Sequence, residues 1–139
     1  MRQLMVMRHA KSSWADGTIA DHERPLNERG RTAAAAMGRF MAERQLLPDR
    51  VLSSDSVRTR ETVSLWAEAA DWDGPIDFLP ELYHADVTTL LQSASILPDT
   101  CLRPLVVAHN PGIAELISSA SGTMVEVPTG TLAVLEAAF

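Results

Sequence analysis

A chain of 139 residues is long enough to bury a full hydrophobic core and is expected to form a single domain over residues 1–139. Its 46% hydrophobic and 22% charged residues are ordinary for a globular protein, and a net charge of -6 argues against a general nucleic-acid binder. Cys101 has no second cysteine to pair with, no stretch approaches the roughly 18 apolar residues of a membrane span, and the N-terminus lacks a signal peptide's layout, so the expected setting is a reducing cytoplasm away from membranes.

The short apolar run Leu4-Met5-Val6-Met7 has no polar alternation and reads as a strand buried on both faces, ending at Arg8-His9. In open α/β sheets ligands bind beyond the carboxyl ends of the strands, so a guanidinium and an imidazole stand where a ligand would be. From Ala10 to Asn27 the chain is polar and turn-rich, and a loop this long in a compact domain is usually functional or disordered. His22 in this loop, and His84 further on, read as surface residues. Asn27 is suited to cap a helix starting at Glu28, with Ala33, Ala36, Met37, Phe40 and Met41 on its buried face.

Arg50-Val51-Leu52-Ser53 is a second strand candidate. Ser54-Asp55-Ser56 supplies capping residues, Asp55 among them, for a helix running to about Ala70 that should bury Thr62, Leu65, Trp66 and Ala69. Gly74-Pro75 breaks the chain before a strand at Ile76 to Leu79, and Asp86 is placed to cap a helix containing Leu90 and Leu91. Pro104 to Ala108 is another doubly buried strand, ending at His109. Asn110 as cap and Pro111 as first helical residue then open a helix that buries Ile113, Leu116, Ile117 and Ala120. A last strand spans roughly Thr131 to Leu135. Alternation of this kind predicts an α/β fold, a three-layer α/β/α arrangement with a mostly parallel central sheet.

Two strands of the same character thus end in histidine, His9 and His109, and in a parallel sheet both ends lie on one edge. Arg58 falls near the first turn of the helix after the second strand, on that same edge. Each element favours a tetrahedral oxyanion, the arginines through bidentate hydrogen bonds and the helix N-termini through free N–H groups, so together they imply a phosphate pocket built without a metal. A single strand-end histidine is more often structural, and Arg58 alone would be an ordinary helix residue paired with Glu61 or Glu68. The conjunction is what carries the reading.

Met7-Arg8-His9-Ala10-Lys11-Ser12, then Asp21-His22-Glu23-Arg24-Pro25-Leu26-Asn27 with Gly30, then Ser53-Ser54 with Arg58 and Thr62 follow one another in order. Leu82-Tyr83, His109-Asn110-Pro111-Gly112 and Pro128-Thr129-Gly130 complete the series. In these stretches the chain resembles the histidine phosphatase superfamily, in its short branch of SixA-like phosphohistidine phosphatases, whose fold is phosphoglycerate mutase-like. The resemblance implies that His9 is the nucleophile, forming a phosphohistidine intermediate that water then hydrolyses, with Arg8, Arg58 and His109 completing the phosphate pocket. A neutral His9 needs its proton on the nitrogen away from phosphorus, and a backbone carbonyl or similar acceptor is expected to hold it there.

Relatives that cleave phosphate esters protonate the leaving oxygen with a carboxylate, and Glu81 is the candidate by position. Two departures stand out: Ala108 replaces a usual Gly and adds a methyl near the pocket floor, and Asp55 replaces a usual Pro. The resemblance therefore implies a metal-independent phosphatase with no cofactor. Its expected substrate is phosphohistidine on a protein partner, since an open pocket suits a protein-borne phosphate. The alternatives are a phosphatase of small phosphate monoesters or phosphoramidates, and a phosphate-binding module without turnover.

Overall fold

Five strands form one sheet in the order β3-β2-β4-β1-β5, in a computed structural model that describes residues 2–137. Strands β1 (Arg2–Arg8), β2 (Arg50–Ser54), β3 (Ile76–Leu79) and β4 (Pro104–Ala108) run parallel, while β5 (Leu132–Ala137) pairs antiparallel with β1. Helices α1 (Glu28–Glu43), α2 (Val57–Ala70), α3 (Val87–Ser95) and α4 (Gly112–Ser121) fill the connections. The expected three-layer α/β/α architecture is present.

Alternation along the central strands divides the core between the two faces of the sheet. Leu4 and Val6 of β1 pack with Leu52, Val106, Leu90 and Ile113, on the side of α3 and α4. Met5 and Met7 pack with Val51, Leu105, Met41 and Trp66, on the side of α1 and α2. Each such side chain contributes roughly 1.5–3 kcal/mol by leaving water, and two buried faces are what a run without polar alternation requires. Among the described residues no helix is long and apolar enough to cross a membrane.

Three local expectations are corrected. The buried residues of α1 are Gly30, Ala34, Gly38 and Met41, whereas Ala33, Ala36 and Phe40 are exposed. Size rather than hydropathy selects this face. A Cβ on Gly38 would collide with the backbone carbonyl of Trp66, so the smallest residues mark where α1 approaches α2. The cap of α2 is Ser56, whose side chain accepts from the Thr59 N–H, and not Asp55. Helix α4 begins at Gly112 after a cis Asn110–Pro111 bond, and Asn110 acts as an ordinary side-chain acceptor for the Ala114 N–H at 3.1 Å rather than as the cap.

Gly30 offers a test of how tightly the first loop is held. Its N–H is capped by Asn27 Oδ1 at 2.8 Å, and an added methyl would land on the carbonyl of Lys11. Because the obstacle is backbone, Gly30→Ala is expected to destabilise the fold by roughly 1–3 kcal/mol despite the better helix propensity of Ala. A denaturant midpoint that does not fall would show that the loop after β1 gives way freely.

Candidate active site

The carboxyl ends of β1 and β4 are adjacent, with Arg8 opposite Ala108 and the His9 N–H donating to the Ala108 carbonyl at 3.1 Å. This register brings His9 and His109 side by side at the bottom of a cavity of about 440 Å³, their ring centroids 5.1 Å apart. Both imidazoles are almost fully buried, 4% and 2% exposed. Ala108 turns its methyl into the apolar cluster with Ile113 and does not line the cavity, so the expected effect on the pocket floor is absent.

His9 Nδ1 lies 2.6 Å from the Ala10 carbonyl oxygen. A carbonyl only accepts, so the proton sits on Nδ1 and the Nε2 lone pair is left towards the cavity, where Arg58 Nε donates to it at 3.3 Å. The expected carbonyl is therefore found one residue away. Burial, with Arg58, Arg8 and Arg24 nearby, lowers the His9 pKa to about 4, the Ala10 hydrogen bond opposing this only in part. At neutral pH His9 is an uncharged base.

Arg58, in the first turn of α2 and 2% exposed, joins the pieces. Besides His9, its Nη2 donates to His109 Nδ1 at 3.3 Å and to Asp21 Oδ2 at 3.0 Å, and its Nη1 donates to the Asp21 carbonyl at 2.7 Å. Neither Glu61 nor Glu68 is its partner. Glu61 instead accepts from the Leu26 N–H and from Arg31. Since a guanidinium only donates, His109 Nδ1 is an acceptor and His109 Nε2–H donates to Ser54 Oγ at 2.8 Å. Burial foremost, and then the adjoining positive groups, lowers the His109 pKa to about 2, so this ring too is neutral.

Arg8 anchors through Nη1 to the Val127 carbonyl at 2.9 Å, and its buried Nε has no hydrogen-bond partner among the described residues. An unsatisfied buried donor on a cation is costly, and it sits beside a second cation, Arg58; burial and that neighbour both lower the Arg8 pKa. Among the described residues the cavity gathers Arg8, Lys11, Arg24 and Arg58 against one carboxylate, Asp21. A chain of net charge -6 thus presents a locally positive hollow suited to an oxyanion.

Asp21 and His84 are the residues that sequence reading missed. Although its partial burial works against ionisation, hydrogen bonds from Tyr83, His84 and Arg58 hold the Asp21 carboxyl well below the usual carboxylate range. His84, expected on the surface, lines the cavity, with Nε2 3.1 Å from Asp21 Oδ2 and its ring centroid 5.2 Å from that of His109. Its φ of 55° turns the chain back towards the pocket straight after Leu82-Tyr83. His22 also has a partner, Asp55 Oδ1 at 2.8 Å from its Nε2, and its ring meets Tyr83 edge-on. Asp55 braces the wall through His22 and does not line the cavity.

Glu81, the expected proton donor, is not brought to this place. It lies in a short 3-10 turn, Pro80–Leu82, that buries Leu82 and leaves Glu81 exposed over a separate depression shared with Thr89 and Gln92 of α3. One-residue steps around so tight a turn separate side chains that adjoin in sequence. At the mouth, Trp14 is 76% exposed and lies over the Arg24 guanidinium at 3.5 Å.

Comparison with known proteins agrees with this geometry. A family model for branch 1 of the histidine phosphatase superfamily matches residues 4–90. The chain belongs to the histidine phosphatase superfamily. With that membership comes the enzyme class, a phosphatase hydrolase. An uncharacterized chloroplastic protein of Arabidopsis thaliana is 33% identical over 98% of this chain, which spans 66% of that relative's length. A solved structure assigned as the phosphohistidine phosphatase SixA of Agrobacterium tumefaciens superposes with a TM-score of 0.87 at 28% identity, covering 96% of this chain and 90% of that one. A protein histidine phosphatase SixA complexed with tungstate superposes at 0.83 and 22% identity, over 95% and 86% of the two chains, and speaks for the fold alone. Strand β1 ends at Arg8, so the Arg8-His9 pair falls within the matched residues.

Proposed function

We propose that this histidine phosphatase hydrolyses phosphohistidine on a protein partner through a phosphohistidine formed on His9. The observation that carries the reading is the uncharged His9, with Nδ1–H tied to Ala10 and its Nε2 lone pair turned to the cavity, where it accepts from Arg58 Nε at 3.3 Å, together with the unsatisfied Nε of Arg8. Nε2 attacks phosphorus as the bond to the substrate nitrogen breaks. Arg8 and Arg58 donate to the phosphoryl oxygens, His109 lines the pocket beside them, and positioning with charge neutralisation supplies most of the rate. Water then attacks the intermediate, releases inorganic phosphate and restores His9. The likeness to the Agrobacterium SixA structure supports phosphohistidine as the substrate class, and the exposed mouth around Trp14 suits a phosphate carried on a protein. A reducing cytoplasm fits the buried single thiol of Cys101.

The decisive experiment offers the protein a histidine-phosphorylated carrier with labelled phosphate. The expected result is an acid-labile label on His9 followed by phosphate release. Strong turnover of a small phosphate ester with none on the phosphohistidine carrier would select the small-molecule alternative, and binding without label would select the non-catalytic one.

The depressed His9 pKa has a pH signature. Protonation removes the attacking lone pair, and the group titrates near 4 rather than 6.5, so the loss comes as pH falls through about 4. Single-turnover phosphorylation by p-nitrophenyl phosphate, with the substrate's own ionisation measured separately, is expected to hold its rate from pH 7 down to pH 5. A fall centred near 6.5 would place an ordinary imidazole in the attacking role.

A further inference from the structure

We propose that His84, held by Asp21, is the proton donor to the leaving group, the part expected of Glu81, which lies over a separate depression. The inference rests on His9 being the nucleophile. In-line displacement sends the leaving group out on the side opposite the attacking nitrogen. His9 lies at the closed end of the cavity, 4% exposed, so the departing atom leaves towards the mouth. His84 lines the same cavity with half of its side chain exposed, and His109 stands between the two, 5.1 Å from the ring of His9 and 5.2 Å from that of His84. The donor is thus on the outer side of the phosphoryl site, where the proton is needed.

Its surroundings suit the task. His84 Nε2 faces Asp21 Oδ2 at 3.1 Å, a carboxylate further fixed by Arg58 and Tyr83, and the Tyr83 ring lies 4.1 Å from the imidazole. The Asp21 contact assigns a proton to Nε2 and orients the ring. Nδ1 has no hydrogen-bond partner among the described residues, so it is the nitrogen open to substrate. His84 also occupies a left-handed backbone conformation, φ 55°, that few side chains adopt freely.

The steps balance. In the first, His9 Nε2 forms its bond to phosphorus while the bond from phosphorus to the leaving oxygen or nitrogen breaks. The electron pair left on that atom takes the proton from Nδ1 of protonated His84, which ends neutral. In the second, neutral His84 takes a proton from the attacking water as the new oxygen–phosphorus bond forms and the bond to His9 breaks. His9 and protonated His84 are both restored.

The test is a series of aryl phosphates of rising leaving-group basicity, from p-nitrophenyl to unsubstituted phenyl, turned over by the wild type and by His84→Asn. Asn tolerates the left-handed backbone and keeps a donor for Asp21; His84→Gly serves if the Asn variant melts markedly lower. A general acid contributes about 10²–10⁴-fold, chiefly where the leaving group is poor, so the loss is expected to be small for p-nitrophenyl phosphate and about 10²-fold for phenyl phosphate. The readout is kcat/KM, which covers the steps up to departure of the leaving group and not the shared hydrolysis step. A uniform loss in kcat/KM across the series, or none, would overturn the assignment, since a residue that only shapes the pocket slows every substrate alike. Phosphoenzyme on wild-type His9 separates the two claims: with it present, a flat series rejects His84 alone, and without it both fall.

Discussion

His9→Ala is expected to abolish both turnover and the acid-labile phosphoenzyme, a loss on the order of 10⁴-fold or more, because among the described residues no second nucleophile is poised to replace it. His109, the nearest imidazole, has its Nε2–H committed to Ser54 and its Nδ1 to Arg58. The substitution should leave the fold intact. It removes one hydrogen bond to the Ala10 carbonyl and deprives Arg58 Nε of its acceptor, which together cost roughly 1–3 kcal/mol in a position flanked by fully buried strands. The checking measurements are the thermal midpoint, to show the protein folded, and quenched labelling with a phosphorylated substrate. Retained label on a folded His9→Ala protein would move the nucleophile elsewhere and remove the basis of the proposed reaction.

What could be read in advance follows from how local each signal is. The runs before His9 and His109 are buried strands whose character is written in four or five consecutive residues, and parallel pairing then forces their ends together. Arg58 was legible for the same reason, since a strand followed by a capped helix fixes its first turn. Asp21 and His84 carried no such signal. Their meeting joins residues 63 positions apart, one in a turn-rich loop and one at a backbone angle that no periodicity announces. Asp55 and Glu81 were misplaced by the same limit, because adjacency in sequence says little about direction around a tight turn. The face of α1 was misread for a different reason: hydropathy ranks Phe40 above Gly38, but contact between α1 and α2 depends on how closely their backbones approach.

Removing the Arg58 guanidinium should cost about 2–4 kcal/mol of transition-state stabilisation, two to three decades in kcat/KM, by analogy with other oxyanion donors. The geometry makes Arg58 more than a charge. Its three nitrogens hold His9, His109 and Asp21 in a single plane of donors, so a lysine, with one point charge on a flexible stem, cannot reproduce them. Arg58→Lys is therefore expected to recover little of the activity lost in Arg58→Ala. The two losses also differ in kind from that of His9→Ala, since the nucleophile is still present and a slow phosphoenzyme should form. A second consequence fixes the sign of the pH response. Arg58 is one of the cations that depress the His9 pKa, so its removal lets that pKa rise from about 4 towards the ordinary histidine value. The acid limb of the single-turnover profile should move to higher pH in Arg58→Ala and much less in Arg58→Lys, which keeps the charge. A loss below tenfold with an unmoved acid limb would mean that Arg58 braces Asp21 and the loop but does not face the phosphoryl group.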